Sequence, residues 1–387
     1  MSDAIKDFQE NMAKEEVEAK KAKEIRSKRL IIDENRVNRE VDRIRQVSEE
    51  LQKAENTDYS KLSKESRESL RKKNLDYFDG AKHGMEFIHP VFNGIVPFFQ
   101  KNLILMLAKT GEGKSTAVSN MVLSIIRQKN PVTGAPRRVL VITNEEAEED
   151  VYNRIPSLIK GWAYTNHAKF SDEQINTFDK FIDGVTRSGI INVIGDTYEG
   201  NDGTTTTIEG IRSIFDNLIK NKIHYDAIII DYYQNVASSK VSPEMNEFQA
   251  QATLANMLDK YKNIYPAPIV VMAQIKPNDQ EKGKENKTPI RLRIEGTKKI
   301  INKATFVMEM IPDKTNLRTE WFVHKTRFGE FIGTSLFTGF DRGRFVEYNQ
   351  AFIDQVRKNK IDKLYARSFA EQETGKPSIP MKDGDKK

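Results

Sequence analysis

The sequence predicts an α/β fold in which helices flank a mainly parallel, twisted sheet. Two observations support this prediction: short apolar runs alternate with longer segments of helical periodicity, and most of the runs are rich in β-branched side chains. The runs occupy residues 103–107, 139–142, 190–194, 227–230 and 269–272. Buried parallel strands joined by crossover helices produce such an alternation.

The helices between these runs are predicted at residues 116–127, 171–184, 207–219 and 245–262. Ser171 and Gln174 have the spacing of a capping box, which predicts that a helix starts there. Further apolar stretches at residues 305–310, 319–324, 335–337 and 344–348 are typical of an antiparallel extension near the carboxyl terminus. Residues 374–387 are polar and contain two prolines, so a disordered tail is expected there.

The composition limits the class of protein. With 387 residues the chain is long enough for two domains and a sizeable core. Because it has no cysteine, a disulfide framework, a thiolate metal site and a cysteine nucleophile are excluded, and a cytoplasmic setting is expected. No apolar stretch suggests a signal peptide or a membrane span. A net charge of +6, from 62 basic and 56 acidic residues, is weak support for a nucleic-acid partner.

The charge distribution divides the chain at about residue 80. Residues 1–80 carry 19 basic and 19 acidic side chains and no proline, which predicts a charged helical segment or linker. A partial heptad repeat in this segment is compatible with a coiled coil or with an amphipathic helix resting on another surface: Leu30, Val37, Ile44, Leu51. Asp79 and Gly80 suggest a hinge. The main domain is expected at 81–350, followed by a helix and tail at 351–387.

A phosphate-binding loop is the clearest motif. Residues 108–115 read Ala-Lys-Thr-Gly-Glu-Gly-Lys-Ser, between a predicted strand and a predicted helix. Backbone amides of the loop and of the helix start can bind phosphate oxygens, Lys114 can reach the β- and γ-phosphates, and the Ser115 hydroxyl can bind Mg²⁺. The sequence therefore predicts a site for ATP and Mg²⁺ formed by Ala108, Lys109, Thr110, Gly111, Glu112, Gly113, Lys114, Ser115 and Thr116.

Polar side chains end three other predicted strands. Asp231 follows Ala-Ile-Ile-Ile and is the candidate second ligand of the magnesium ion. Glu145 and Glu146 follow the strand at 139–142, and either can act as the base that polarises a water molecule. Gln274 follows Ile-Val-Val-Met-Ala at the end of a further predicted strand and can sense the γ-phosphate, although a glutamine that only caps a loop is nearly as plausible.

Basic side chains cluster in one stretch after Gln274. Six basic residues stand against three acidic ones between residues 276 and 293, and a smaller basic loop follows residue 234. Such stretches bind the phosphates of single-stranded nucleic acid without sequence preference, although a solvated loop has the same composition. The candidate DNA contacts are Lys240, Lys276, Lys282, Lys284, Lys287, Arg291 and Arg293.

The order of these motifs resembles that of the DnaB-type hexameric replicative helicases, which belong to the RecA-like ATPases. Residues 231–234, Asp-Tyr-Tyr-Gln, are similar to the aspartate-tyrosine-leucine-glutamine signature of that family, and residues 272–275 are similar to its sensor strand. The resemblance places Glu145 in the catalytic position. Lys325 and Arg327, in Lys-Thr-Arg-Phe-Gly, match the element that supplies cations to the nucleotide of the neighbouring subunit.

The resemblance implies an ATP-dependent DNA helicase that forms a hexameric ring on single-stranded and forked DNA and moves from 5′ to 3′. Two departures from the family are visible. Residues 298–301 replace a more acidic run, and residues 1–80 do not resemble the usual globular amino-terminal domain, which bears on contacts with a primase or helicase loader. A charged segment before a single motor suits a viral system acting in the host cytoplasm. A recombinase filament and a nucleotide-switched loader or scaffold are the alternatives.

Overall fold

A computed structural model describes residues 39, 41–46, 49, 59–82, 84–131, 133–162, 169–195, 205–234, 247–276, 294, 298–327 and 331–358. The chain divides into two compact units, Met1–Asn74 and Leu75–Lys387. Helix α1 spans Tyr59–Lys82, so Asp79 and Gly80, which suggested a hinge, lie within its last turn. Among the helices described, none is long and apolar enough to cross a membrane.

The second unit contains a sheet of nine strands in its described residues, in the order β3-β2-β4-β5-β1-β6-β7-β8-β9. From β3 to β6 all neighbours pair in parallel, and from β6 to β9 they pair antiparallel. The predicted parallel sheet and its antiparallel extension are confirmed. The strands are β1 Leu103–Ala108, β2 Val139–Thr143, β3 Ile191–Ile194, β4 Ala227–Asp231, β5 Ile269–Gln274, β6 Phe306–Asp313, β7 Arg318–Thr326, β8 Ser335–Asp341 and β9 Arg344–Glu347.

Helices cover both faces of the sheet. The helices are α2 Lys114–Arg127, α3 Glu148–Lys160, α4 Asp172–Ser188, α5 Ile208–Lys220, α6 Glu247–Ile264 and α7 Lys299–Lys303, with helical residues also at 350–358. Met121 of α2, Ile155 of α3 and Val185 of α4 share one buried cluster with strand residues. Ile211 of α5 and Leu258 of α6 belong to the cluster on the other face. The central parallel strands are therefore buried on both sides, which explains their continuous apolar sequences.

Local signals in the sequence fix several of these boundaries. The capping box predicted at the start of α4 is present: the Ser171 hydroxyl accepts a hydrogen bond from the Gln174 amide at 3.3 Å, and the Ser171 amide donates to Gln174 Oε1 at 2.9 Å. Gly189 ends α4 in a left-handed conformation. The predicted helices therefore agree with α2, α4, α5 and α6 to within a few residues.

An aromatic cluster holds the antiparallel strands against the segment that precedes β1. Trp321 of β7 is fully buried and makes edge-to-face contacts with Phe92 and Phe345, at centroid distances of 5.2 and 4.9 Å. Phe87 packs edge-to-face on Phe92 and Phe98. Such pairs contribute beyond the area that they bury. The cluster therefore packs the antiparallel strands β7 and β9 on the segment that precedes β1.

Candidate active site

The phosphate-binding loop joins the carboxyl end of β1 to the start of α2. Gly113 caps α2 with φ +91° and Gly111 has φ +73°, left-handed conformations that side chains with a Cβ rarely adopt. The Lys109 amide donates to Glu112 Oε2 at 3.0 Å, and the Glu112 amide donates to the Lys109 carbonyl at 3.3 Å. These bonds close the loop on itself. The free backbone amides and the dipole of a helix amino terminus favour a bound phosphate at this position.

Lys114 and Asp231 are buried at the same edge of the sheet. Lys114 is 6% exposed, and its Nζ lies 5.2 Å from the centre of the Tyr232 ring. Asp231 is 2% exposed, and its Oδ1 has no hydrogen-bond partner in the described part of the chain. Burial, followed by the nearby charges of Glu146 and Glu145, raises the pKa of Asp231 to about 7, and Lys114 and Arg154 partly oppose this increase.

The unpartnered oxygen of Asp231 fits a metal ligand, because a buried carboxylate oxygen is costly unless it is paired or binds a cation. The described residues contain no group of three acidic or histidine side chains that could hold a metal by themselves. Mg²⁺ needs no such group, because it is commonly bound by one or two protein oxygens together with substrate phosphates and water. Ser115, the predicted second ligand, lies in the first turn of α2.

The two candidate bases after β2 differ in their surroundings. Glu146 forms a two-pronged ion pair with Arg154 of α3, at 2.7 and 3.0 Å, and its amide donates to the Thr143 hydroxyl at 3.3 Å. Glu145 is exposed. The sequence alone left both open. Because Glu146 is held by a guanidinium, Glu145 is the residue better suited to accept a proton from water.

Gln274 ends β5 beside the end of β1, where it pairs with Ala108 in the parallel register. Its side-chain amide donates to the Thr110 hydroxyl in the phosphate-binding loop. Gln234, from the Asp-Tyr-Tyr-Gln motif, forms two hydrogen bonds with the Gln274 main chain. The structure thus brings Gln274 to the loop, and it adds Gln234, which had been noted only as part of a family signature.

Asn144 is a second residue that sequence reasoning missed. Its amide donates to the Asp231 carbonyl at 2.9 Å, its Oδ1 accepts from the Tyr232 amide at 3.1 Å, and its Nδ2 donates to the Tyr232 carbonyl at 3.1 Å. These bonds fix the main chain between Asp231 and the ring that lies over Lys114. The only sequence signal was a polar residue directly after a buried strand.

Lys325 and Arg327 lie at the amino-terminal end of β1, opposite to the end that carries the phosphate-binding loop. The Arg327 amide donates to the Thr305 carbonyl at 3.0 Å, and the Thr305 amide donates to the carbonyl of Leu103, the first residue of β1, at 2.8 Å. Five residues of strand, about 17 Å, separate Leu103 from the loop side of β1. The structure therefore does not bring these two cations together with Lys114 of their own subunit. Arg327 is exposed.

A cavity of about 280 Å³ adjoins the phosphate-binding loop. Its walls are mainly apolar, and Arg318 at its rim is paired with Asp313 at 3.2 Å. Flat apolar ligands fit such walls. The apolar lining comes from the antiparallel strands and the turns that join them: Met310, Pro312, Leu317, Phe340 and Phe345.

Of the predicted DNA contacts, Lys276 lies two residues after the end of β5 and is exposed. The remaining six lie outside the described residues: Lys240, Lys282, Lys284, Lys287, Arg291 and Arg293. Their position along the chain, on either side of α6 and before α7, is known from the sequence alone.

Together the strand order, the phosphate-binding loop and the polar strand ends define a RecA-like phosphate-loop ATPase fold. The family described as the DnaB-like helicase C-terminal domain matches residues 80–346. The chain belongs to this family, and a replicative DNA helicase function follows from that membership.

Comparison with solved structures agrees with the fold. The chain is similar to a structure described as an ATPase domain, with 13% identity and a TM-score of 0.54, over 73% of this chain and 98% of that one. It is also similar to a DnaB-like replicative helicase solved in a study of its interactions with primase, with 13% identity and a TM-score of 0.52, over 72% and 65% of the two chains. No curated protein sequence matches the chain.

Proposed function

We propose that this protein is an ATP-driven ring, a hexamer, that moves along one strand of DNA and separates the duplex ahead of it. The ATPase activity in this proposal rests on one observation. The phosphate-binding loop lies at the same ends of the parallel strands as Asp231, Glu145 and Gln274. Family membership supports the coupling of that ATPase to DNA. The comparisons favour neither a recombinase filament nor a loader.

The chain's residues divide the work of hydrolysis. The loop amides and Lys114 bind and neutralise the phosphates, while Glu145 orients a water molecule for attack on the γ-phosphate. Ser115 and Asp231 would hold Mg²⁺, which when bound supplies Lewis-acid stabilisation of the phosphoryl oxygens. Gln274, held by Gln234 and in contact with Thr110, links the γ-phosphate position to the end of β5. The apolar cavity beside the loop accommodates the nucleobase of ATP.

The position of Arg327 supports a ring. An exposed cation about 17 Å along the sheet from its own loop cannot stabilise charge on its own nucleotide, but it can do so for a neighbour when subunits meet head to tail. Head-to-tail contacts close into rings when the rotation between subunits closes. Lys276 and the basic stretch that follows would then line a path for single-stranded DNA. We expect such a ring to work in the cytoplasm, with a primase or loader as a further partner.

A forked-duplex assay run with a mass measurement of the assembly tests this proposal. The wild-type chain should unwind a labelled fork only with ATP and Mg²⁺, and with DNA and nucleotide it should have the mass of a closed ring. Lys114→Ala should keep its fold and lose ATP turnover, because the phosphates lose their buried cation. DNA-stimulated hydrolysis that survives in Lys114→Ala would overturn the site. Filaments without a defined mass, together with strand-exchange activity, would show that the protein is a recombinase and not a helicase.

A further inference from the structure

The ammonium group of Lys325 is anchored on the end of helix α7. Its Nζ donates to the Ile301 carbonyl at 2.7 Å and to the Asn302 carbonyl at 2.9 Å. Cations are favourable at helix carboxyl termini, where carbonyl groups lack partners within the helix. An ammonium group donates up to three hydrogen bonds, so two fixed carbonyls also fix the direction of its third N–H bond. The position of this cation therefore depends on the position of α7.

Helix α7 is in turn tied to α6 by two lysines and one carboxylate. Lys303 Nζ lies 2.8 Å from Asp259 Oδ2. Lys262, whose side chain is 3% exposed, contacts Asp259 Oδ1 and donates to the Lys303 carbonyl at 3.2 Å. Burial raises the pKa of Asp259, but hydrogen bonds from Lys262 and Lys303 outweigh it and hold that pKa below its usual range. Asp259 therefore carries a negative charge between two ammonium groups.

A helix of five residues cannot keep its place by itself, because a single turn is unstable in water without outside contacts. Within α7, Ile300 and Ile301 are buried, and their side chains fix the distance of the helix from the sheet. Apolar contacts of this kind have no preferred direction, and the carboxyl-terminal side of α7 is fixed by the bond from the Thr305 amide to the Leu103 carbonyl. The ion pair of Lys303 with Asp259 and the bond from Lys262 to the Lys303 carbonyl add contacts of defined geometry between α7 and α6.

We propose that Asp259, acting through Lys303 and Lys262, is a positioning residue for Lys325, the cation that this subunit presents to its neighbour's nucleotide. The inference rests on the proposed trans role of Lys325. Asp259 touches no substrate. It fixes α7, the α7 carbonyls fix the Lys325 ammonium, and a displacement of about 1 Å at such a group is enough to cost up to about 100-fold in rate.

Two variants loosen this arrangement in different ways. Lys303→Met keeps the aliphatic stem and leaves the buried Lys262 paired, so it should fold normally. It removes the direct ion pair between α7 and Asp259 and leaves only the bond from Lys262 to the main-chain carbonyl of residue 303. It should lower kcat for ATP by about tenfold and change the KM for ATP less than twofold, because the substrate is bound by the loop of another subunit. Asp259→Asn should act in the same direction. Lys260→Met, the same change at an exposed lysine of α6, is the matched control and should change neither constant.

A double-mutant cycle separates positioning from general loosening of the fold. If Lys303 acts through Lys325, then Lys303→Met combined with Lys325→Met should be no slower than Lys325→Met alone. Independent, multiplying losses would overturn the inference, and so would an unchanged kcat in Lys303→Met. An unchanged kcat in Lys325→Met would remove Lys325 from the trans site and overturn the inference with it, while the ATPase site itself is judged separately by Lys114→Ala. If Asp259→Asn unfolds, the Lys303→Met cycle still decides.

Discussion

The side-chain amide of Gln234 holds the main chain of Gln274 at the end of β5. Gln234 Nε2 donates to the Gln274 carbonyl at 2.8 Å, and the Gln274 amide donates to Gln234 Oε1 at 3.1 Å. Gln234 is 9% exposed, and both bonds are partly buried. Through them the last residue of the Asp-Tyr-Tyr-Gln motif fixes the residue whose side chain contacts Thr110 in the phosphate-binding loop.

Gln234→Ala should therefore impair the response of the site to the γ-phosphate. Without the two hydrogen bonds the Gln274 main chain is free to shift, and we expect ATP turnover to fall about tenfold, as for misplacement of a group near the reacting atoms. The rate of ATP turnover should fall at least as far in Gln274→Ala. Steady-state phosphate release measures both, and Gln350→Ala, at an exposed glutamine of the helical residues 350–358, is the control. If the double variant is slower than Gln274→Ala, Gln234 has a role of its own.

Glu145 and Glu146 should respond differently to the same substitution. Glu145→Gln should lower ATP turnover by at least about 100-fold with nucleotide binding preserved, because a glutamine cannot accept the proton of the attacking water. Glu146→Gln should cost much less, because its carboxylate is committed to Arg154 at 2.7 Å and the amide keeps one of those bonds. Phosphate release and the binding of a fluorescent ATP analogue test the pair. The opposite ranking would make Glu146 the base.

Much of the site could be predicted from the sequence because it depends on strand ends. Parallel strands bring their carboxyl ends to one edge, so a loop after residue 108 and polar residues after residues 142, 230 and 273 had to converge once the strands were recognised. The register confirms this convergence: Thr143 pairs with Asp231, and Ala108 pairs with Gln274. Buried apolar runs define strand ends sharply, so the convergence of these positions follows from the sequence, while the roles of the residues stay a prediction.

The supporting contacts could not be predicted, because they join residues far apart in the chain through side chains with no characteristic pattern. Asn144 reaches Tyr232 across 88 positions and Gln234 reaches Gln274 across 40. The distinction between the two glutamates came from Arg154, which is unremarkable in the sequence. The position of Arg327 at the amino-terminal end of β1 could be found only from the structure, because it follows from the parallel pairing of β6 with β1. The suggested hinge at Gly80 did not interrupt α1, because one glycine costs a helix only about 1 kcal/mol.

Arg327→Ala should inactivate wild-type subunits with which it is mixed. A ring in which each cation serves the neighbouring nucleotide loses one working site for every variant subunit, and coordinated movement fails well before half of the subunits are replaced. Unwinding of a forked duplex, measured over a series of wild-type to variant ratios, should fall more steeply than the wild-type fraction. Arg187→Ala, which removes an exposed cation of α4 paired with Asp183, is the control. A linear decline in the Arg327→Ala series would show that Arg327 does not serve the neighbouring nucleotide.

The stability of the nucleotide-free protein should depend on pH through Asp231. Burial raises the pKa of Asp231 to about 7, whereas in the unfolded chain an aspartate has a pKa of about 4. Between these values the folded state binds more protons than the unfolded state, so the free energy of unfolding falls as pH rises from about 4 to about 7. At about 1.4 kcal/mol for each unit of pKa difference, the loss reaches up to about 4 kcal/mol.

Asp231→Asn has no charge to bury and should lack this contribution. Urea unfolding of both proteins at several pH values from about 4.5 to about 8 isolates it, because titrating groups that do not interact with Asp231 cancel in the difference between the two curves. The variant should gain stability relative to the wild type as pH rises through the window and should then level off above a pH of about 7. Asp216→Asn, at a carboxylate of α5 that accepts a hydrogen bond from Tyr261 at 2.6 Å, should not reproduce that gain. Parallel curves for wild type and Asp231→Asn would show that Asp231 is ionised in the folded protein throughout, as expected only if another cation already compensates its buried charge.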